Sequence, residues 1–396
     1  MIESLSRSLF QLPADRDLSA TPFSAGAFNK LYKITISDGN SPEYIFRVTS
    51  PIEPFYKTAS EVATLSYLRE HTSIPVPGVI AHSSTAENEL GFEWILMEKM
   101  PGGPLGQVWR SIDQEARIRA TKVIAGIVRQ LRGIGQNLNA IGNLYFCEEL
   151  KAFNNAVQMQ RVDDKYVLGP IVTSNMFIGG RKLRVRRDLG PYFNDADYIS
   201  ALVASEQEDM QRLRSEVDRP YPDFDEDLAK DTDEILPALN GLEEISAELF
   251  SSETCSVRLH HDDLSLNNIL FDPETHKISG IVDWECVGIR PHWQDTYPSF
   301  LVLDGPEVER PLEEQELDPE DVDDCRVEHW MDGQKMKLRP VFDLELGEVF
   351  NVEDGKDETR RQFLKQLDRV ELFPGAVQGW TMEHRKQQKG IQQEST

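Results

Sequence analysis

Between Ser19 and Met100 the apolar and polar positions of the chain alternate with a period of two, interrupted once by a helical period. Leu31 to Ser37 and Glu43 to Thr49 read as β-strands joined through Asp38, Gly39 and Asn40, a turn signal. Within the second strand Tyr44, Phe46 and Val48 fall on one face and Ile45, Arg47 and Thr49 on the other, so Arg47 projects from a defined sheet face. The period changes over residues 59 to 70, where Glu61, Leu65 and Leu68 stand at i, i+4 and i+7 on one helical stripe. A carboxylate on an apolar stripe calls for a cation, and Arg47 is the available one. The alternative puts Glu61 at the solvent edge and Arg47 on the surface. Ile74 to Gly78 reads as an extended connector, and Trp94 to Met100 as a buried strand broken by Pro101-Gly102-Gly103-Pro104.

After that linker the pattern is mostly helical. Residues 113 to 135 place Ile124, Ile127, Val128, Leu131 and Ile134 on one face, as a core helix requires. Residues 168 to 192 differ, with Gly and Pro punctuating β-type runs around a basic cluster of Arg181, Lys182, Arg184, Arg186 and Arg187. That segment reads as a solvated hairpin, ahead of a substrate-side flap or a patch that meets phosphate. The acidic stretch 307 to 328, with Pro311 and Pro319, reads as a solvated loop. Residues 359 to 372 predict a helix and 385 to 396 a frayed polar end. The expected division is an extension at 1–18, a β-rich lobe with one helix at 19–100, a larger helical lobe at 101–340 carrying an insert at 168–192, and a helical extension and tail at 341–396.

Composition narrows the class. With 39% hydrophobic residues in 396 and a mean hydropathy of -0.45, the chain is long enough for two cores, and no apolar run approaches a membrane span. The first seventeen residues carry neither a secretory nor a transit pattern, so the cytoplasm is the expected compartment. Four isolated cysteines offer no zinc spacing. A net charge of -26 argues against nucleic acid as a partner, because phosphate binding needs a basic stripe. It suits a cationic small molecule, and equally well serves solubility alone.

The chemistry is concentrated in His261-Asp262-Asp263-Leu264 through Asn267-Asn268-Ile269-Leu270, followed by Ile281-Val282-Asp283-Trp284-Glu285. This fits the template H-x-D-L-x-x-x-N, in which the Asp takes or orients the proton of an attacking hydroxyl and the Asn ligates a metal, with a second Asp on Mg²⁺. The doublets allow two frames. Only His261, Asp263, Leu264 and Asn268 satisfy every position and leave an apolar strand behind the Asn. Ile269 to Phe271 and Ile278 to Val282 flank a turn-rich segment and predict a hairpin folded about residues 274 and 275, which brings Asn268 opposite positions 281 to 283. Two oxygen donors then converge, a half-site of the kind Mg²⁺ completes with phosphate and water.

With these residues in view, the chain resembles the aminoglycoside phosphotransferase and choline kinase-like family over about residues 23 to 298. The resemblance is carried by Gly26-Ala27-Phe28-Asn29, Arg47, Glu61, Ser73 to Pro77, Glu93 to Glu98 and the two catalytic motifs. It implies an α+β, bilobal protein-kinase-like fold and transfer of a phosphoryl group from ATP, with Mg²⁺, to a hydroxyl of a small-molecule acceptor. The implied roles are Asp263 as base, His261 as brace of the loop, Asn268 and Asp283 as metal ligands, Arg47 as phosphate contact and Glu61 as its partner. Gly26 and Asn29 would form the phosphate loop, and the hinge from Glu98 to Met100 would offer backbone groups to adenine. A monomer or weak dimer is the expected state. Ser265, where protein kinases carry a Lys, and the lack of D-F-G and A-P-E motifs argue against a protein substrate. Arg47 in place of the usual Lys and a loop with one glycine leave a second reading open, a degenerate kinase-like protein that binds without turnover.

Overall fold

The chain opens with helix α1 (Ile2–Leu9) and strands β1 (Leu18–Ala25), β2 (Asn29–Ile36) and β3 (Tyr44–Thr49), then helix α2 (Tyr56–His71) and strands β4 (Val79–Ser83) and β5 (Glu93–Glu98). Next come β6 (Gly103–Pro104), α3 (Leu105–Val108), α4 (Gln114–Ile134), β7 (Asn143–Phe146), α5 (Cys147–Phe153), β8 (Gln160–Arg161) and β9 (Tyr166–Gly169). Helices α6 (Asp195–Glu216) and α7 (Glu226–Leu249) precede β10 (Val257–His260), β11 (Ile269–Asp272), β12 (Lys277–Ile281) and β13 (Gly288–Pro291). Helices α8 (Asp324–Leu346), α9 (Gly355–Asp368) and α10 (Pro374–Glu394) complete the chain. This computed structural model describes residues 1–37, 42–173, 189–216, 226–303, 324–347 and 355–394. The turn at 38–40, the basic cluster at 181–187 and most of the acidic stretch lie outside them. The fold class is α+β, an antiparallel sheet region followed by a mostly helical part.

The chain forms two compact units. The first takes residues 1–136, 259–287 and 295–351, the second 137–258, 288–294 and 352–396. In the first, five antiparallel strands run in the order β1-β2-β3-β5-β4. Their period-two alternation separates two faces. Phe46 packs with Leu18, Ile34, Ile36, Trp94 and Leu96 under the apolar side of α1, through Ile2, Leu5 and Leu9. That helix is absent from the sequence reading, which left 1–18 as an extension; eight residues are too short a window for a periodic signal to stand out. Ile45 and Arg47 take the opposite face, and Arg47 lies between Leu31 and Ile95 in the register of the central strand.

The Pro/Gly linker does more than break β5. Gly103 and Pro104 pair with Phe271 and Leu270, so the linker becomes the third strand of the β11–β12 hairpin. Gly102 adopts φ +81°, and a Cβ there would meet the Phe271 carbonyl oxygen at 2.3 Å. Gly102→Ala is therefore expected to destabilise the protein by at least ~1–3 kcal/mol, the range for a strained backbone residue, as a lower denaturant midpoint. Elsewhere in this unit α4 packs on α8, with the Arg117 guanidinium 4.9 Å from the Trp330 ring centroid.

The second unit holds the three-stranded sheet β7-β9-β8 and the packing of α6 and α10 on α7. Buried Arg290 donates to Asn143 Oδ1 at 3.2 Å and to the Val172 carbonyl at 3.0 Å. The C-terminal expectations need correction here. The helix predicted over 359 to 372 runs from Gly355 to Asp368, and the predicted frayed end belongs to α10, which continues to Glu394. Val377, Thr381 and His384 are buried at helical spacing on α10, and its Gln and Lys residues are good helix formers. Likewise α8 starts at Asp324, inside the stretch read as loop.

Candidate functional site

The site residues named from the sequence all lie in the first unit. Gly26, Asn29, Arg47, Glu61, Glu98, Met100, Asn268 and Asp283 line one cavity of about 370 Å³. That is within the size range of small-ligand sites. His261 and Asp263 stand beside it rather than in its wall.

The hairpin sets the floor. Ile269 pairs with Ile281, and the Val282 N–H donates to the Asn268 carbonyl at 2.9 Å, so Asn268 lies one residue from being opposite Asp283. The Asn268 amide nitrogen donates to Asp263 twice, to its carbonyl at 2.9 Å and to its Oδ2 at 2.8 Å. The amide oxygen of Asn268 is thereby the atom left for a cation. His261 Nε2 lies 3.3 Å from the Val282 carbonyl, and its ring meets that of Trp284 edge-on at 4.7 Å. Burial pushes the imidazole pKa below its usual value, which favours the neutral ring with its proton directed at Val282. The frame is thus written in contacts. His260 turns instead to Asp295, 2.8 Å away.

Asp283 has φ +64°, in the left-handed region that Asp tolerates better than most residues, and buried Trp284 anchors the turn by donating from Nε1 to the Ile281 carbonyl at 2.8 Å. The Asp283 carboxylate opens on the cavity. Burial, then the charges of Glu285 and Glu61, push its pKa up to about 7 against the pull of Arg47 and Lys57.

Above the floor, Arg47 and Glu61 form a buried fork-to-carboxylate pair, with Nη1 to Oε1 at 2.8 Å and Nη2 on Oε2. The surface alternative for these two residues is therefore excluded. Burial works against the guanidinium charge, but Glu61 more than offsets it. Glu61→Gln is expected to destabilise the protein by about 3–5 kcal/mol, the cost of breaking a buried pair from one side, read as a shift in chemical-denaturation midpoint. Replacing both partners by apolar residues of similar volume should recover much of that loss.

Two hinge expectations are narrowed. The Glu98 N–H donates to the Gly78 carbonyl at 2.9 Å and the Lys99 N–H to the Glu43 carbonyl at 3.0 Å. The Glu98 side chain accepts from Arg69 at 2.8 Å and from the Gly78 N–H at 3.0 Å, clipping β4 to β5. Continued sheet pairing uses these donors, so the Met100 N–H is the hinge donor that remains for a base. At the other rim the turn from Gly26 closes by its N–H donating to the Asn29 carbonyl at 3.0 Å, and a Cβ on Gly26 would meet nothing within 4 Å.

One member of the cluster escaped the sequence reading. Lys57, 1% exposed, is paired with Glu285, whose Oε2 also accepts from Asn29 Nδ2 at 2.7 Å and lies 4.0 Å from Arg47 Nη1. The available signal was its place four residues before Glu61 on the same helix face. Burial would raise the Glu285 pKa, but Lys57 and Arg47 together draw it below the usual value. Arg47 and Lys57 face three carboxylates, Glu61, Glu285 and Asp283, so the cluster is balanced while Asp283 holds its proton and carries one negative charge in excess once it ionises. Among the described residues no group of three or more His, Cys, Asp and Glu could hold a metal by itself. Asn268 and Asp283 offer two hard oxygens, a set that fits Mg²⁺ shared with phosphate oxygens and water and does not fit zinc.

Residues 19–330 match the model of a family described as the phosphotransferase enzyme family. A subtelomeric hrmA-associated cluster protein of Aspergillus fumigatus is 28% identical over 358 residues, covering 82% of this chain and 67% of the relative. Altered inheritance of mitochondria protein 9, mitochondrial, of Clavispora lusitaniae is 24% identical over 331 residues, covering 77% and 54%. The chain thus spans about two-thirds of the first relative's length and about half of the second's. Among solved structures, Plasmodium vivax ethanolamine kinase aligns with a TM-score of 0.46 at 12% identity, covering 91% of this chain and 76% of that one.

Proposed function

The chain belongs to the phosphotransferase enzyme family, and we propose that it moves the γ-phosphoryl group of ATP to a hydroxyl of a small molecule, with Mg²⁺. The observation that carries this reading is the pairing of Asn268 with Asp263 on one side and its placement near Asp283 on the other, in a cavity roofed by Arg47 and Glu61. Bound Mg²⁺ would neutralise phosphate charge, held by the amide oxygen of Asn268 and the carboxylate of Asp283. Asp263 keeps one carboxylate oxygen on Asn268 and has the other to orient an acceptor hydroxyl and take its proton. His261 holds the loop against Val282, and the Met100 N–H faces the place of the base. Work of this kind is mostly positioning and charge stabilisation.

The test is ATP stabilisation in a Mg²⁺-dependent thermal-shift titration, followed by ADP release across a panel of alcohols and amino alcohols. Absence of any Mg²⁺-dependent shift would overturn the reading. The acidic balance of the chain favours cationic acceptors over neutral ones in that panel. A second reading, binding without turnover, draws on one observation: Arg47 spends both terminal nitrogens on Glu61, so β3 offers no lysine point charge. Nucleotide binding with no ADP release on any acceptor would favour it. Among the described residues no helix is long and apolar enough to cross a membrane. We place the activity in the cytoplasm, and microscopy of a C-terminally tagged full chain decides between that and the mitochondrial designation of one relative.

A further inference from the structure

A buried lysine is rare, and one whose ion pair is made two residues from a candidate metal ligand is costly unless the geometry it imposes is used. Lys57 is such a residue. Its ammonium pairs with Glu285 Oε2, and it lies 3.4 Å from Asn29 Oδ1, while Asn29 Nδ2 donates to that same Glu285 oxygen at 2.7 Å. The three groups close a ring of contacts between α2, the first residue of β2 and the segment that follows Asp283.

We propose that Lys57 is a positioning residue for phosphoryl transfer: through Glu285 it fixes the turn that presents Asp283, and through Asn29 it fixes the base of the turn that begins at Gly26. The inference rests on the phosphotransferase reading above. Arg47 cannot supply this placement, because its fork is occupied by Glu61 and its nearer nitrogen stays 4.0 Å from Glu285. Lys57 and Glu61 lie one turn apart on α2, so this turn of the helix is latched twice. Glu61 ties it to β3, and Lys57 ties it to the segment carrying the metal ligand. Without Lys57, α2 keeps its ties to the sheet through Glu61 and through Arg69 on Glu98, and loses its tie to the segment that follows Asp283.

The experiment measures binding of the non-hydrolysable analogue AMP-PNP with Mg²⁺ by calorimetry, beside thermal melting, for the wild type, Lys57→Met, Lys57→Arg, Glu285→Gln and the double variant Lys57→Met with Glu285→Gln. The expected result is a ~10- to 100-fold loss of Mg²⁺-dependent affinity in Lys57→Met and Glu285→Gln, the usual effect of removing a group that orients a metal ligand. Lys57→Arg should retain most of the affinity. The double variant should regain melting temperature without regaining affinity. A Lys57→Met protein that melts earlier yet binds as the wild type does would reduce Lys57 to a structural ion pair and overturn the proposal. Should that variant not fold, Glu285→Gln decides, and unchanged binding there overturns it equally. If the wild type itself binds no AMP-PNP with Mg²⁺, the phosphotransferase reading falls and takes this inference with it. If the wild type binds and every variant matches it, only the inference falls.

Discussion

Asp263→Asn is expected to lower acceptor-stimulated ADP release by ~10²- to 10⁴-fold, the range for loss of a positioned acid-base group, while leaving ATP binding with Mg²⁺ within a few-fold of the wild type. The substitution keeps the shape of the side chain and removes its ability to take a proton. Asn268 loses a charged acceptor but keeps the Asp263 backbone carbonyl, 2.9 Å from its amide nitrogen, so its oxygen stays aimed at the cavity. Asp262→Asn is the informative companion. Asp262 is exposed, and the bonds of Asn268 go to Asp263. Steady-state ADP release for the two variants therefore tests the frame as well as the role. Comparable losses in both would discard the assignment of Asp263 as the base.

Asp283→Asn should remove Mg²⁺-dependent nucleotide binding almost entirely, because it deletes the one charged donor of the proposed half-site. The same residue gives the protein a pH signature. Its carboxyl is held protonated up to about pH 7, well above the ordinary value of 3.8. A raised pKa in the folded state means that the fold holds this proton more tightly than the unfolded chain does. The stability so gained is fully present below the ordinary pKa and disappears as pH climbs through 7. Without metal, wild-type protein should lose melting temperature between pH 5 and pH 8, and Asp283→Asn should lose less. In the proposed half-site Mg²⁺ would bind the ionised carboxylate, so its stabilising effect should be larger at pH 8 than at pH 6. Parallel pH profiles for the two proteins, with or without Mg²⁺, would rule out this account of Asp283.

The catalytic loop and hairpin were legible because their information is local. His261, Asp263 and Asn268 lie within eight positions, and the turn-rich segment after Phe271 sets the register that brings Asp283 near. Arg47 and Glu61 were legible for a related reason: a strand and the next helix each show their face by periodicity, and Arg47 was the cation on the strand face. The ring of Asn29, Lys57 and Glu285 joins positions 256 residues apart, and no local period reports such a contact. Helix α10 failed differently. The polar stretch from 385 was read as frayed, although the helix anchored on α7 by buried Val377, Thr381 and His384 continues to Glu394. Residues 98 to 100 line the cavity but were read too generously as a donor edge, since strand pairing beyond Glu98 depends on where Glu43 and Gly78 end up in space.

The cavity wall has two sources in the chain, residues 23 to 104 and residues 267 to 284. The intervening stretch belongs largely to the second compact unit. During synthesis the sheet, α1 and α2 can assemble as soon as the first hundred or so residues emerge, with Arg47 already facing Glu61. Asn268 and Asp283 arrive much later, and β6 waits for β11 through most of that interval. The cavity is therefore completed abruptly and late in a nascent chain, and any ribosomal product ending before Asp283 carries the roof of the pocket over a missing floor.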